Sequence, residues 1–236
     1  MENTLCIVMR TADWRDSDKM LTLFSRDFGL ISALARGAKN LKNPLSAVSQ
    51  PFCCGIYSFI SRSGRLSVSQ CEIKKEFYSL GTDFEKYATA CVMMEMSEKI
   101  LQNTQEYDPL FILLVTCLTH LEKGRPSREV LTYYLVRISG LLGIRPSTQE
   151  CVVCGRPLEA PHLFCMAEGG TVCPACADGL KTVSVRPEDM KMIDKMLQTS
   201  PKDFCPAQGF NPRLLDLLRE YLGELGELKC RSMRFL

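Results

Sequence analysis

"LCIVMRTADWRDSDKMLTLFSRDFGLISALAR", residues 5–36, decides how the front of this chain folds. Its apolar residues fall in three short clusters, LCIVMRT, KMLTLFS and LISALAR, with no sustained recurrence at the spacing of a helix face. Each cluster has the length of a strand, and "RDFGL" supplies a turn with Gly29. Two more clusters of the same kind follow, CGIYSFISR and RLSVSQCEI. They are joined by "RSGR", where Ser63 and Gly64 suit a tight hairpin. A long polar connection, "GAKNLKNPLSAVSQP", separates the third cluster from the fourth. Five short antiparallel strands with one long connection predict a small closed barrel of the oligonucleotide-binding (OB) type; an SH3-like barrel is the alternative.

Beyond Ser79 the period changes to about 3.6. Phe84, Tyr87, Ala88, Cys91 and Met94 share one predicted helix face, and Leu110, Phe111, Leu114, Leu118 and Leu121 another. A third helix is expected behind Ser127 as N-cap, carrying Leu131, Tyr134, Leu135, Ile138 and Leu142, and ending at Gly143 and Pro146. Pro187 with Glu188 and Asp189 opens a short helix, and Asn211 with Pro212 opens a last one. The expected class is therefore α+β: an N-terminal five-stranded OB-fold barrel over 1–79, then a helical domain over 80–236. A cysteine module is inserted in the second domain at 147–182.

That module reads "CVVCGRPLEAPHLFCMAEGGTVCPAC", residues 151–176, with 18 residues between its two CxxC pairs. Each pair is a turn that aims two thiolates at one point, and four thiolates complete a tetrahedron, so the spacing predicts one zinc ion on Cys151, Cys154, Cys173 and Cys176. Gly155 after the first pair and Pro174 inside the second favour a zinc ribbon or knuckle over a thioredoxin-like redox pair. Four sulfurs leave no open coordination position for water, so the ion is expected to be structural. His162 and Cys165 lie between the pairs as alternative ligands that the spacing does not require.

The chain has 236 residues, 13 cysteines and a formal charge of +2. An odd cysteine number, with most cysteines single inside apolar segments, predicts reduced core thiols and a cytoplasmic compartment. Adjacent Cys53 and Cys54 would face opposite sides of a strand and so would not pair. No run of roughly 20 apolar residues suggests a membrane span, and the N-terminus lacks the features of a secretory signal. The positive charge is at the front: residues 1–80 hold 11 Lys and Arg against 7 Asp and Glu. Within 26–75, Arg26, Arg36, Lys39, Lys42, Arg62, Arg65, Lys74 and Lys75 face only Asp27 and Glu72. Such an excess favours a polyanionic partner.

Arg36, Lys39, Lys42, Arg62, Arg65, Lys74 and Lys75 are the candidate DNA contacts, each able to replace a condensed counterion on a phosphate backbone. Trp14, Phe52, Tyr57 and Phe59 are candidate stacking faces, although aromatics in strands mostly fill cores. Asp13, Asp16 and Asp18 cluster without a histidine or second acidic group to build a nuclease centre. His120 is a lone histidine on an apolar helix. No GxSxG, Walker A or GxGxxG sequence occurs, and no catalytic residue is expected.

With "IVMRTADWRDSDKMLTLFSRDFGLISALARGAKN", "QPF", a helical region, "CVVCGRPL" and "GGTVCPAC" in this order, the chain resembles the bacterial RecO family of DNA repair and recombination mediators. The resemblance is densest in residues 7–52 and 151–176. It implies an OB barrel, a helical domain with a zinc module, and no covalent chemistry. It also implies binding of single- and double-stranded DNA and strand annealing in the RecF pathway. Association with RecR, contact with the acidic tail of single-stranded DNA-binding protein (SSB) and indirect help in loading RecA are implied as well, in a cytoplasmic, nucleoid-associated setting without a membrane partner. "ARGAK", Arg36 to Lys39 with its flanking alanine, corresponds to the family's basic loop, although "KNLKNP" has asparagines where relatives often carry more Arg and Lys. Two rival readings come from other classes: an RNA-binding or transcription-associated barrel protein, and a thiol oxidoreductase using one CxxC pair.

Overall fold

The computed structural model describes residues 3–62, 64–158, 162–206, 209–226, 228 and 230–236; for Arg62 it describes the backbone alone. Ser63 of the proposed hairpin lies outside the described residues. The chain divides into two compact units, Met1–Glu122 with Ser232–Leu236, and Lys123–Arg231.

The first unit holds five strands: β1 Thr4–Trp14, β2 Asp18–Ser25, β3 Gly29–Ala35, β4 Cys53–Arg62 and β5 Arg65–Glu76. They close into a barrel in the order β1-β2-β3-β5-β4, with β3 and β5 parallel and every other neighbour antiparallel. This is the OB arrangement, and the SH3-like alternative is set aside. Alternation places Leu21 and Leu23 of β2 and Ile31, Ala33 and Ala35 of β3 in the barrel core with Cys6, Val8, Tyr57, Phe59 and Val68. Register shifts between Val8 and Arg10 in β1, and at Cys54/Gly55 and Ser58/Phe59 in β4, mark the irregularities at which long strands bend to close a barrel. Gly55 is obligatory at one of them: a Cβ there would stand 2.6 Å from the Glu72 carbonyl oxygen and 2.7 Å from Cys71 Sγ.

The long connection contains a short helix, α1 Leu45–Val48, which the sequence reading left out. Asn43 Oδ1 accepts from the Leu45 amide at 2.8 Å, and Tyr57, fully buried, donates its hydroxyl to the Val48 carbonyl at 2.6 Å. The connection is thereby pinned to the barrel core.

Two helices belong to the same unit, α2 Phe84–Ile100 and α3 Tyr107–Glu122. Asp83 caps α2, its carboxylate accepting from the Lys86 amide at 3.1 Å. The expected stripe on α2 is corrected by its surroundings. Ala88 and Met94 are buried, but Phe84 and Tyr87 are exposed and Cys91 is half-buried, while Ala90, Val92, Met93 and Met96 are buried too. A helix enclosed on several sides has no single apolar stripe to read. Phe111 of α3 packs edge-on against Phe24 of β2, which explains why the outward-facing Phe24 is buried beside the inward-facing Leu23.

The second unit contains α4 Ser127–Leu141, β6 Leu163–Cys165, β7 Gly170–Val172, β8 Thr182–Ser184, α5 Pro187–Gln198 and α6 Arg213–Leu225. Ser127 is the first residue of α4 and is buried, not an N-cap; Pro126 holds that position. A serine followed by a helical period is the usual cap signal, but here proline in extended geometry begins the turn one residue earlier. Helix α4 packs on α5 and α6. Arg137 of α4 donates to the Leu197 carbonyl at 3.2 Å and also to that of Thr199, and the Tyr133 hydroxyl reaches the latter at 2.8 Å, so the C-terminal end of α5 is capped by side chains of its neighbour.

Candidate nucleic-acid interface and metal centre

The connection after β3 is hydrogen-bonded along its length, both within itself and to the β1–β2 turn. The Gly37 amide donates to Asp18 Oδ1 at 2.8 Å and the Lys39 amide to the Ser17 carbonyl at 3.0 Å. Lys39 Nζ donates to the Arg15 carbonyl at 2.8 Å and pairs with Asp13 at 3.2 Å. Residues 37–39 are thus bound to the turn between β1 and β2. Asn40 Oδ1 accepts from the Lys42 amide at 3.0 Å, and Asn43 Nδ2 donates to the Arg36 carbonyl at 3.1 Å. Gly37 has φ +67, and a Cβ there would meet Asn43 Nδ2 at 2.5 Å. Asn40 and Asn43 thus shape the loop.

Three of the seven candidate DNA contacts, Arg36, Lys42 and Arg65, are exposed and take part in no ion pair among the described residues. Lys39 is held by Asp13 and Arg15, and Lys74 pairs with Glu72. Lys75 pairs with Glu122 at 2.9 Å, donates to Thr119 at 3.1 Å and lies 4.9 Å from the centre of the Phe77 ring. Arg62 stands opposite Arg65 in the β4–β5 register. Leu34 of β3 pairs with Ser67 of β5, so Arg36 and Arg65 are about 13 Å apart along the strands. Lys74 and Lys75 stand roughly 30 Å of strand away from Arg65, at the other end of β5. The structure gathers Arg36, Lys39 and Lys42 on one loop, places Arg62 and Arg65 on a hairpin, and sets Lys74 and Lys75 apart.

Sequence reasoning missed Arg15. It is exposed on the β1–β2 turn at φ 51, and its carbonyl receives Lys39. No local pattern signals this, because the two cations are 24 residues apart. Of the candidate stacking aromatics, Phe52, Tyr57 and Phe59 are buried, while Trp14, at the end of β1, is 37% exposed.

In the second unit, the four cysteines converge. The Gly155 amide donates to the Cys151 carbonyl at 2.8 Å and the Cys176 amide to the Cys173 carbonyl at 3.0 Å, closing two tight turns. Val152 donates to Thr171 at 2.9 Å, fastening the first turn to β7. The sulfurs of Cys151, Cys154, Cys173 and Cys176 all lie within 4.8 Å of one another, a metal-binding arrangement. His162 and Cys165 are not members of this group; Cys165 is buried in β6. Burial works against ionisation of Cys151, yet amide N–H groups of Cys173, Cys154 and Val153 outweigh it and bring its thiol down to about 6. Hydrogen bonding with Cys173 and Cys154 pushes Cys176 up to about 12. Four sulfurs this close cannot all ionise without a cation to offset them.

A cavity of 440 Å³ also lies in this unit, lined by apolar side chains such as Leu214 together with Arg186, Arg213, Asp189, Asp216 and Glu220. Arg186 is held by Asp189, which also accepts from Asn211 at 2.8 Å.

Fold and site together define an OB-barrel protein carrying a four-cysteine metal-binding module. The family model described as the N-terminal part of recombination protein O matches residues 1–77, and the one for its C-terminal part matches residues 81–234. The DNA repair protein RecO of Bacillus pumilus (strain SAFR-032) is 32% identical over 170 residues, covering 72% of this chain and 66% of that protein. That of Exiguobacterium sp. (strain ATCC BAA-1283 / AT1b) is 33% identical over 168 residues, covering 71% and 67%. That of Listeria monocytogenes serotype 4b (strain F2365) is 26% identical over 241 residues, covering 100% and 94%. The chain belongs to the RecO family. No helix among the described residues is long and apolar enough to cross a membrane.

Proposed function

We propose that this protein is a non-enzymatic DNA-binding mediator of DNA repair in the RecF pathway. It binds and anneals DNA strands and, together with RecR, helps RecA load onto single strands coated by SSB. The observation that carries this reading is the closed OB barrel with Arg36, Lys42 and Arg65 exposed and unpaired among the described residues, joined to a family whose relatives are named DNA repair proteins. Residues 1–79 form the DNA-binding domain and 80–236 the helical domain of this reading. Cations already neutralised by a carboxylate, Lys39, Lys74 and Lys75, gain less from a phosphate than free ones do, so Arg36, Lys42 and Arg65 supply the larger share.

The metal is zinc, one ion per chain. Sulfurs bound tetrahedrally at about 2.3 Å stand about 3.8 Å apart, and Cys154 Sγ and Cys173 Sγ are separated by 3.8 Å. With four thiolates engaged, the ion supplies folding energy only.

The test is a titration of fluorescent single-stranded DNA, duplex and RNA at two salt concentrations, with and without RecR. Salt-dependent binding of both DNA forms, strengthened or redirected by RecR, supports the reading. A clear preference for RNA supports the rival class.

A further inference from the structure

Leu41 is 90% exposed, more than any other large apolar side chain of the described residues. An apolar side chain at the apex of a loose loop needs no explanation, but this loop is not loose. Five named hydrogen bonds from Gly37, Lys39, Lys42 and Asn43 fix the segment on either side of it. Two of them run to Arg15 and Ser17, in the turn that follows Trp14. The half-exposed Trp14 adjoins one of two segments bound to each other and the exposed Leu41 lies in the other, with Arg15, Arg36 and Lys42 exposed on the same two segments.

We propose that Trp14 and Leu41 form an apolar tip that contacts unpaired nucleic-acid bases while Arg15, Arg36 and Lys42 hold the adjoining phosphates. This rests on the nucleic-acid reading above and adds a base-contacting element to it. Bases offer apolar faces to aromatic rings whatever their sequence, and leucine is among the side chains that wedge between base steps. Asp13 is paired with Lys39, and Asp16 and Asp18 on the same turn keep their charge, so Arg15, Arg36 and Lys42 exceed the unpaired carboxylates there by one. A strand held with its bases engaged is kept from folding on itself, which is what annealing to a complement requires.

Trp14 is the single tryptophan of the chain, so its emission reports on the tip alone. The experiment titrates the full-length protein and its Leu41→Ala variant with an oligothymidylate. Tryptophan emission is followed beside the anisotropy of an end label at two salt concentrations. Quenching of Trp14 should track binding in the wild type. Leu41→Ala should lower affinity several-fold, the loss expected when apolar area of a leucine is no longer buried against a base, with an unchanged salt slope and an unchanged melting temperature, because the side chain is outside the core and uncharged. Binding by anisotropy with no change in Trp14 emission, or a variant that binds as tightly as wild type, overturns the tip and points to a protein partner for it. Absence of oligonucleotide binding in the wild type overturns both the tip and the nucleic-acid reading.

Discussion

Charge partners decide what a cation on this barrel is free to do. Lys74 and Arg36 look alike in the sequence, yet one is spent on Glu72 and the other faces solvent without an ion pair among the described residues. Arg36→Glu should therefore weaken single-stranded DNA binding more than Lys74→Glu does, by several-fold at moderate salt, as measured by anisotropy. Equal losses would show that the Lys74–Glu72 pair opens on binding. Tyr57 gives a prediction of another kind. Its hydroxyl is the fixed point between core and connection, and Tyr57→Phe leaves the Val48 carbonyl without that donor. The change should lower stability by about 1–2 kcal/mol in urea unfolding. The same residue shows why a strand aromatic is ambiguous in sequence: Tyr57 and Phe59 line the core two residues apart, while Trp14 sits where the barrel ends.

At the scale of elements, the strands were legible because alternation and the Gly29 and Gly64 turns all agree with one barrel. Helix α1 was hidden because its single turn is organised by Asn43 and Tyr57, the second of which is distant in sequence. The two strands inside the cysteine module and β8 at its end were hidden too, each being only three residues long. The convergence of the four cysteines was readable, since CxxC spacing is a local geometric constraint. Serine at both Cys151 and Cys173 should abolish stoichiometric zinc and lower the thermal stability of the chain, with the barrel's DNA affinity retained. Elemental analysis with calorimetry checks this, and lost DNA binding at retained stability would give the module a direct role. The C-terminal turn is a further element with a stated job. The Ser232 amide and hydroxyl both donate to Glu95 of α2, at 2.9 and 2.8 Å, and Met233 is buried. Removing residues 232–236 should destabilise the first unit and increase amide exchange along α2. Unchanged exchange there would contradict the anchoring.

For the whole molecule, the OB barrel, the helical region and the family were all within reach of sequence. What sequence could not give is the pairing of charges across long separations, such as Arg10 with Glu98 and Lys75 with Glu122. Such pairing, with the local pair Lys74–Glu72, separates six of the seven candidate cations into free and engaged groups; the side chain of Arg62 lies outside the described residues. The proposed division of labour has the barrel bind nucleic acid through charge while the sulfur-bound ion only braces the second unit. The most direct measurement is the dependence of single-stranded DNA affinity on salt for the wild type and for Arg36→Glu with Lys42→Glu. The account predicts weaker binding to every sequence tested and a log–log slope shallower by about 1 to 1.5; a double variant with the wild-type affinity and slope would contradict it.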